Sequence, residues 1–200
     1  MSKYLYLIRH GKALHNELFD KIGVKAFRIK DTIDSPLTNL GNEQSISLGK
    51  TWTIKDEIEL VIVSPLTRTL ETAINIFGNN TPIVCQEFLR EYPIGEDTCN
   101  KRSDTNLLIQ KFPTIDFSHI HLKTDTLWSH KRESIEELDK RIQKMISYIQ
   151  SCPENKIAIV SHGSYIGHFK DKKIRYLENG DEELKHCYPY EYILDSNRIH

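Results

Sequence analysis

The sequence predicts an α/β fold, a three-layer sandwich with a mostly parallel central sheet, helices on both faces and an inserted cap segment. Two observations support this prediction. Short apolar runs without polar alternation are typical of strands buried on both faces of a parallel sheet, and segments with helical periodicity lie between these runs. The chain has 200 residues, enough to bury a sizeable core, and we expect a single domain over residues 1–200.

Five segments are the candidate strands. They are residues 4–8, 60–63, 83–85, 157–160 and, late in the sequence, 188–194. The first four are short and apolar without alternation, so we expect them in the interior of the sheet, with helices packed on both sides.

A helix is predicted directly after the second of these strands. Its apolar stripe consists of Leu66, Leu70, Ala73 and Phe77. We expect Ser64 to be the N-cap and Pro65 the first helical residue, because both residue types favour these positions. Gly78 is a typical stop signal.

Two further helices are predicted. Ser134 and Glu137 have the spacing of a capping box, and the stripe that follows them is formed by Ile135, Leu138, Ile142, Met145, Ile146 and Ile149. A weaker helical stripe between residues 38 and 52 is formed by Leu40, Leu48 and Trp52.

The segment from about residue 89 to residue 132 interrupts the alternation of strands and helices. It is rich in Pro, Asp, Thr, Asn and His, and its apolar residues have no clear period. A long insertion of this kind in a compact domain is often a lid or a binding loop. We therefore interpret residues 89–132 as a cap over a binding crevice.

Composition argues against several classes of protein. Lys and Arg number 27 against 28 Asp and Glu, a formal charge of -1, whereas a nucleic-acid-binding protein usually has a clear basic excess. No apolar segment is long enough to span a bilayer. The four cysteines are scattered without metal-ligand spacing. We expect a cytoplasmic protein without a metal or cofactor, and the sequence predicts no oligomeric state.

Basic side chains follow three of the predicted strands. The first strand leads into Arg9 and His10, the fourth leads to His162, and the helix after the second carries Arg68. In open parallel sheets, ligands bind beyond the carboxyl ends of the strands. We therefore expect two imidazoles and two guanidiniums in one crevice, an arrangement suited to a phosphate group.

His10 is the candidate nucleophile, since cationic neighbours would hold a phosphate and disfavour the imidazolium form. Gly11 is expected to let the backbone approach a ligand. The alternative is a strand-end histidine that only bonds a carbonyl group. Glu91 could protonate a leaving oxygen if its loop folds over the crevice. Competing carboxylates are Glu87, Glu96 and Asp97.

In this order, the motifs resemble the histidine phosphatase superfamily, which has the phosphoglycerate-mutase-like fold. The stretch LYLIRHGKALHNE is similar to the family's Arg-His-Gly motif with its downstream asparagine, here Asn16. The stretches SPLTRTLETA and IVSHGSYI carry Arg68 and His162 where the family has its second arginine and second histidine. The resemblance implies that Arg9, Asn16, Arg68 and His162 bind the phosphate while His10 attacks it.

The stretch LREYPIGEDTCNKRS resembles the eukaryotic-type phosphoglycerate-mutase-like phosphatases. This resemblance implies that Glu91 is the proton donor and that Lys101, Arg102 and Ser103 are candidates for contacting the rest of the substrate. The chain departs from the family pattern at Asn100, where Asp is usual, and at Ser164, where a second Gly is common.

The Glu-Arg-His-Tyr-Gly stretch typical of the cofactor-dependent mutases is missing from the sequence. The resemblance therefore implies a phosphomonoesterase that hydrolyses a small-molecule phosphate ester through a phosphohistidine, without a metal. Two alternatives stay open. One is a mutase or bisphosphatase-like activity, with Lys101 and Arg102 as a second anionic site, and the other is a silent module that binds phosphorylated ligands.

Overall fold

The computed structural model describes residues 2–174 and 183–195 of the chain. The strands are β1 (Lys3–Arg9), β2 (Leu60–Val63), β3 (Ile83–Cys85), β4 (Lys156–Ser161) and β5 (Pro189–Leu194). The α-helices are α1 (Leu14–Ile22), α2 (Asn39–Thr51), α3 (Thr67–Phe77), α4 (Thr105–Lys111), α5 (Ile135–Ser151) and α6 (Gly163–Asp171). Short 3₁₀ helices connect them at Gly23–Phe27, Lys30–Thr32, Lys55–Glu57, Glu87–Leu89 and Thr98–Asn100.

The five strands form one sheet in the order β3-β2-β4-β1-β5. The first four are parallel, and β5 pairs with β1 in the antiparallel direction at the edge. The predicted mostly parallel α/β sheet is therefore confirmed. The late strand is also present, beginning one residue after the predicted position.

Helices cover both faces of this sheet. On one face Ile8 and Val63 pack with the buried stripe of α3, and on the other face Leu7 and Ile62 pack with α5 and α6. Successive residues of one strand thus enter different hydrophobic cores, which explains why the strand sequences are apolar without alternation. The capping box at Ser134 is present at the start of α5, as predicted.

The start of α3 differs from the prediction. Leu66, not Ser64, is the N-cap residue, and its side chain makes no capping bond. The carboxylate of Asp34 supplies the cap from a distant part of the chain, accepting from the backbone nitrogen of Thr67 at 2.8 Å and from its hydroxyl at 2.8 Å. Because this cap is tertiary, the sequence next to the helix could not reveal it.

Gly11 has a role other than the predicted approach to a ligand. A Cβ atom at Gly11 would lie 2.4 Å from the carbonyl oxygen of Gly41, and one at Gly41 would lie 2.2 Å from the carbonyl oxygen of Lys12. Both distances are far too short for a side chain. The two glycines therefore allow the start of α2 to pack directly against the loop that carries His10.

The segment 89–132 contributes to two parts of the molecule. Tyr92, Pro93 and Asn100 line a cavity at the carboxyl ends of the strands. Further along, Phe112 and Phe117 are buried in the core between the sheet and α3. The backbone at residue 116 also extends the sheet through a parallel bridge to β3. Within the described residues, the first part of the segment and its last residue, Arg132, therefore line the cavity, whereas the middle part packs into the core.

Across residues 2–174 and 183–195, no helix is long and apolar enough to cross a membrane. In the same residues, no group of three or more His, Cys, Asp or Glu side chains is arranged to hold a metal ion. All four cysteines are free thiols.

Helix α5 depends on Leu138, whose side chain is fully buried against the sheet. Leu138→Ala should lower the free energy of unfolding by about 2–5 kcal/mol, because it removes buried methyl groups and leaves a cavity. Lys140→Ala, on the exposed side of the same helix, should change it by less than about 0.5 kcal/mol. Urea denaturation of both variants tests this; equal stabilities would contradict the packing.

Candidate active site

The register of the sheet brings the two histidine motifs together. Strands β1 and β4 are neighbours, and Arg9 lies directly opposite Ser161. His10 and His162 each follow one of these residues, so their rings extend beyond the same edge of the sheet. The ring centroids lie 5.2 Å apart in an edge-to-face arrangement. The predicted convergence of the two imidazoles is therefore present.

His10 has one ring nitrogen that carries a proton and one that carries a lone pair. Its Nδ1 lies 2.7 Å from the carbonyl oxygen of Gly11, which can only accept, so Nδ1 carries the proton. Nε2 then holds the lone pair, and it accepts from Nε of Arg68 at 3.3 Å. Burial, reinforced by Arg68, holds the pKa of His10 well below its ordinary value. The ring is therefore a neutral imidazole with its lone pair beside a guanidinium.

Arg68 is only 1% exposed, although most arginines lie at the surface of a protein. Its Nη1 donates to the carbonyl oxygen of Cys99 at 2.8 Å, and its Nη2 donates to the side-chain oxygen of Asn100 at 2.9 Å. Asn100, a departure from the family pattern, thus orients the arginine. Its own amide nitrogen is held by the carbonyl oxygen of Pro93 at 3.1 Å.

His162 is held by a serine. Its Nε2 lies 2.8 Å from the hydroxyl oxygen of Ser64, and its Nδ1 is buried without a hydrogen-bond partner among the described residues. Ser64 has no other described partner for its hydroxyl, so the hydroxyl proton is satisfied only if it points at Nε2. Nδ1 is then the N–H donor. Burial and Arg68 hold the pKa of His162 well below its ordinary value.

Arg9 lies at the same edge, with its side chain 6% exposed. Nη1 donates to the carbonyl oxygen of Leu184 at 2.7 Å, and Nη2 forms an ion pair with Glu183. Its Nε is buried and has no partner among the described residues. A buried N–H without a partner is costly, so this donor is suited to an anion placed next to His10.

Residues 183–187 also reach this site, which the sequence did not indicate. His186 Nδ1 lies 2.5 Å from the backbone oxygen of His10, and the nitrogen of Cys187 donates to the backbone oxygen of Arg9 at 2.9 Å. Burial and Arg9 lower the pKa of His186 to about 4. These bonds anchor Glu183 and the residues after it over the end of β1.

The side chain of Glu91 lies next to the N-terminus of α6. Its carboxylate accepts from the backbone nitrogens of Tyr92 at 2.8 Å, Tyr165 at 3.1 Å and Ser164 at 3.4 Å. Burial raises the pKa of Glu91, although these N–H groups and Arg68 act in the opposite direction. The result is a carboxyl group that keeps its proton to a higher pH than an exposed glutamate.

The position of Glu91 is set by a buried guanidinium. Arg141 of α5 donates to the carbonyl oxygens of Phe88 at 3.0 Å and Arg90 at 2.6 Å, while its Nε donates to Glu133 at 2.5 Å. This places the chain of residues 88–91 firmly against α5. The Glu91 side chain consequently points into the cavity rather than to solvent.

Several of these groups line a cavity of about 560 Å³, within the range of small-molecule sites. His162 is not among the described lining residues, although its ring centroid lies 5.2 Å from that of His10 and the next two residues, Gly163 and Ser164, line the cavity. His10, Arg9, Arg68, Glu91 and Asn16 line it. The side-chain oxygen of Asn16 accepts from the backbone nitrogen of Ala13 at 3.0 Å, which leaves its NH₂ group to donate into the cavity.

Lys101, Arg102 and Ser103 are placed differently from the other predicted site residues. None of the three is among the described residues that line the cavity. The Lys101 ammonium lies 4.8 Å from the Trp128 ring centroid, and the Ser103 nitrogen donates to Asp34 at 3.0 Å. This corrects the expectation that they contact the substrate.

The Arg102 guanidinium is fully used inside the protein. Its Nε donates to Glu87 at 2.8 Å, Nη1 donates to the hydroxyl of Thr105 at 2.8 Å, and Nη2 donates to the carbonyl oxygen of Leu122 at 3.0 Å. Arg102 therefore stabilises the fold of the segment, and its charge is matched by Glu87. The sequence carried no signal of this, because the partners come together only through tertiary folding.

The arrangement is suited to phosphoryl transfer. A neutral imidazole presents a lone pair, guanidiniums and N–H donors surround the place where the equatorial oxygens of phosphorus would gather charge, and a carboxylic acid lies nearby. Residues 5–171 match the model of the histidine phosphatase superfamily, branch 1. The chain belongs to this superfamily. Membership indicates a phosphatase-like or mutase-like enzyme that acts on a small phosphate substrate.

Comparison with known proteins agrees with this family. Phosphoglycerate mutase-like protein 1 of Arabidopsis thaliana is 34% identical over 199 residues, covering 83% of this chain and 70% of that protein. The chain also has the fold of two solved structures. The α-ribazole phosphatase of Shigella flexneri matches with a TM-score of 0.60 at 20% identity, covering 98% of this chain and 91% of that chain.

The second structure is the phosphoserine phosphatase of Entamoeba histolytica in complex with 3-phosphoglyceric acid. It matches with a TM-score of 0.57 at 20% identity, covering 97% of this chain and 98% of that chain. At this identity the two structures show a shared fold, which agrees with the predicted phosphoglycerate-mutase-like architecture.

The ion pair between Arg9 and Glu183 places a carboxylate where it competes with an anionic ligand. Glu183→Gln should strengthen inhibition by orthophosphate by about two- to fivefold, the scale of a partly exposed ion pair. Glu191→Gln, an exposed carboxylate on β5, should leave it unchanged. Inhibition constants for orthophosphate test this, and a weaker inhibition in Glu183→Gln would contradict competition.

Proposed function

We propose that the protein is a phosphomonoesterase that hydrolyses a small-molecule phosphate ester through a phosphohistidine at His10. The observation that carries the proposal is the fixed tautomer of this residue. Its Nδ1 is bonded to the carbonyl oxygen of Gly11 at 2.7 Å, so Nε2 carries the lone pair. This lone pair accepts from Nε of Arg68 at 3.3 Å, and it becomes free to attack when a bound phosphate takes over that donor. A histidine nucleophile needs this tautomer, since only an unprotonated ring nitrogen can attack phosphorus.

In the first step, Arg9, Arg68, Asn16 and His162 hold the phosphoryl oxygens. Nε2 of His10 attacks phosphorus in line with the ester oxygen, forming an N–P bond as the P–O bond to the alcohol breaks. The alcohol oxygen takes the electron pair of the broken bond and a proton from Glu91. The products of this step are the free alcohol, the phosphohistidine and a carboxylate at Glu91.

In the second step, the carboxylate of Glu91 accepts a proton from water as the water oxygen attacks phosphorus. The N–P bond breaks, its electron pair returns to Nε2 of His10, and orthophosphate leaves. Glu91 is again protonated, so both residues regain their initial states. The raised pKa of Glu91 supports both roles, because a catalytic acid works best when its pKa is near the working pH.

Hydrolysis is favoured over mutase action by the contacts of the cap segment. A mutase would need a second anionic site, and Lys101 and Arg102 do not line the cavity. Two other arginines at the cavity, Arg28 and Arg132, both form ion pairs with Glu96 at 2.7 and 2.9 Å. Their charges are therefore partly neutralised. Product formation from a monophosphate and a bisphosphate primer would identify a mutase instead.

On this proposal, the aromatic and apolar residues that line the cavity select the substrate, whereas the charged residues bind the phosphate common to all esters. Phe19 and Phe27 stack with ring centroids 5.2 Å apart on one side, and Tyr92 and Pro93 lie among the lining residues from segment 89–132.

The free thiols are consistent with the proposed cytoplasmic location, where cysteines stay reduced.

His10→Ala should abolish turnover of phosphate esters, because it removes the nucleophile. It should also abolish acid-labile phosphorylation of the protein during incubation with substrate. His121→Ala, at an exposed position, is the matched control and should retain both. Rapid-quench labelling with a ³²P-labelled ester measures the phosphoprotein. Normal turnover in His10→Ala would reject the nucleophile.

Glu91→Gln tests the proton donor. With an alkyl phosphate, kcat should fall by about a hundredfold or more, whereas a p-nitrophenyl ester should lose much less in the first step, because its leaving group needs no proton. Burst kinetics separate this step from the hydrolysis of the phosphohistidine. Glu136→Gln, on the exposed face of α5, should have no effect. An equal decrease in the rate of the first step for both esters would contradict the assignment of Glu91 as the proton donor.

The pH profile provides a second measurement. The first step requires neutral His10 and protonated Glu91, and their pKa values are shifted down and up from the ordinary values. The rate of phosphohistidine formation should therefore fall on the alkaline side as Glu91 loses its proton. Glu91→Gln should remove this alkaline limb for an alkyl phosphate. A limb that persists in Glu91→Gln would assign it to another group.

A further inference from the structure

His15 is a cavity-lining imidazole to which the proposed reaction gives no role. It is the second residue of α1, and its ring centroid lies 5.9 Å from that of His10. Nδ1 lies 2.6 Å from the hydroxyl oxygen of Ser35. Nε2 has no hydrogen-bond partner among the described residues, yet it is not one of the fully buried unpartnered atoms. Nε2 therefore opens onto the cavity.

Ser35 determines which nitrogen of this ring carries the proton. The serine is fully buried, and His15 is the only described partner of its hydroxyl group. If Nδ1 donated to the serine, the hydroxyl proton itself would be buried without an acceptor, which is costly. The hydroxyl therefore donates to Nδ1, and Nε2 is the N–H that faces the cavity.

The same arrangement occurs at His162, where the buried Ser64 bonds Nε2 and leaves Nδ1 as the donor. His10 has the opposite arrangement, since its Nδ1 is bonded to a carbonyl oxygen. The three rings thus form one nucleophile flanked by two neutral N–H donors. A serine hydroxyl that donates to one ring nitrogen makes the other nitrogen an N–H donor. A backbone carbonyl that accepts from one ring nitrogen leaves the lone pair on the other.

His15 also lies within the field of the phosphate-binding arginines. Burial, followed by Arg68 and Arg9, holds the pKa of His15 well below its ordinary value. The ring is therefore neutral and can donate a hydrogen bond without adding a charge to the site. A neutral donor remains effective over the pH range in which an unperturbed histidine would titrate.

We propose that His15 donates a hydrogen bond from Nε2 to a non-bridging oxygen of the phosphoryl group held in front of His10, and that Ser35 is the positioning residue that sets this donor. The inference rests on the proposed function, because it assumes that the phosphoryl group of the ester binds beside His10. It adds a second contact from α1, next to that of Asn16, to those from α3 and from the ends of β1 and β4.

The experiment compares wild type, His15→Phe, His15→Gln and Ser35→Ala, with His121→Phe as the matched control at an exposed position. Inhibition by orthophosphate of p-nitrophenyl phosphate hydrolysis gives the affinity for the phosphoryl group alone. Thermal unfolding of each variant shows whether the fold is retained. Measurements at several pH values between about 5.5 and 8 separate a neutral donor from a charged one.

His15→Phe keeps an aromatic ring but removes the N–H, so the inhibition constant should rise about tenfold or more, the scale of a bond to a charged group. His15→Gln places an amide N–H near the same position and should recover most of the loss. Ser35→Ala should weaken inhibition about two- to tenfold, since the ring is retained without its fixed tautomer. The ratio of variant to wild type should be independent of pH.

Unchanged inhibition in a folded His15→Phe variant, with normal wild-type hydrolysis, would overturn this inference and leave the proposed function intact. A ratio that grows at low pH would overturn the neutral donor, since it would indicate an imidazolium. Equal inhibition in Ser35→Ala and wild type would overturn the role of Ser35. A wild-type protein that neither hydrolyses esters nor binds orthophosphate would instead reject the proposed function itself.

Discussion

The parallel pairing of β1 with β4 is the constraint on which the candidate active site depends. Arg9 opposite Ser161 is one contact in a ladder of six residue pairs, and each strand is buried on both faces. A shift of one residue would turn every side chain of a strand to the other core. The same register that satisfies the two hydrophobic cores therefore places His10 and His162 side by side. The free energy of burying apolar residues along the whole sheet therefore also fixes the relative positions of these two imidazoles.

Within that geometry, the hydrogen bond to one nitrogen of each imidazole determines whether the other nitrogen is a donor or carries the lone pair. The carbonyl oxygen of Gly11 gives His10 a lone pair, and the hydroxyl of Ser64 gives His162 an N–H. Two identical side chains thus acquire different chemistry from partners that lie outside the cavity. Because burial, followed by Arg68, holds the pKa of both rings well below the ordinary value, the positive charge that would hold a dianion resides on the guanidiniums.

The parts of the fold and the site that the sequence predicted depend on local pattern. The apolar strands and the basic residues at their ends could be identified because parallel strands place their carboxyl ends together. The parts that it did not predict depend on tertiary contacts. Asp34 caps α3 across 33 positions of sequence, and Arg102 is neutralised by Glu87. The sequence near Asp34 or Arg102 does not indicate which distant residue will be its partner.

Buried ion pairs explain how a loop residue such as Glu91 can be held as firmly as a residue on a strand. Arg90 pairs with Asp125 through two bonds of 2.8 and 2.6 Å, and Arg141 pairs with Glu133. Ion pairs of this kind contribute little net stability, because desolvation opposes their attraction. Their consequence here is geometric, since both arginines also bind backbone carbonyls near Glu91 or across the cap. The guanidiniums therefore tie the loop to defined backbone oxygens through directional bonds.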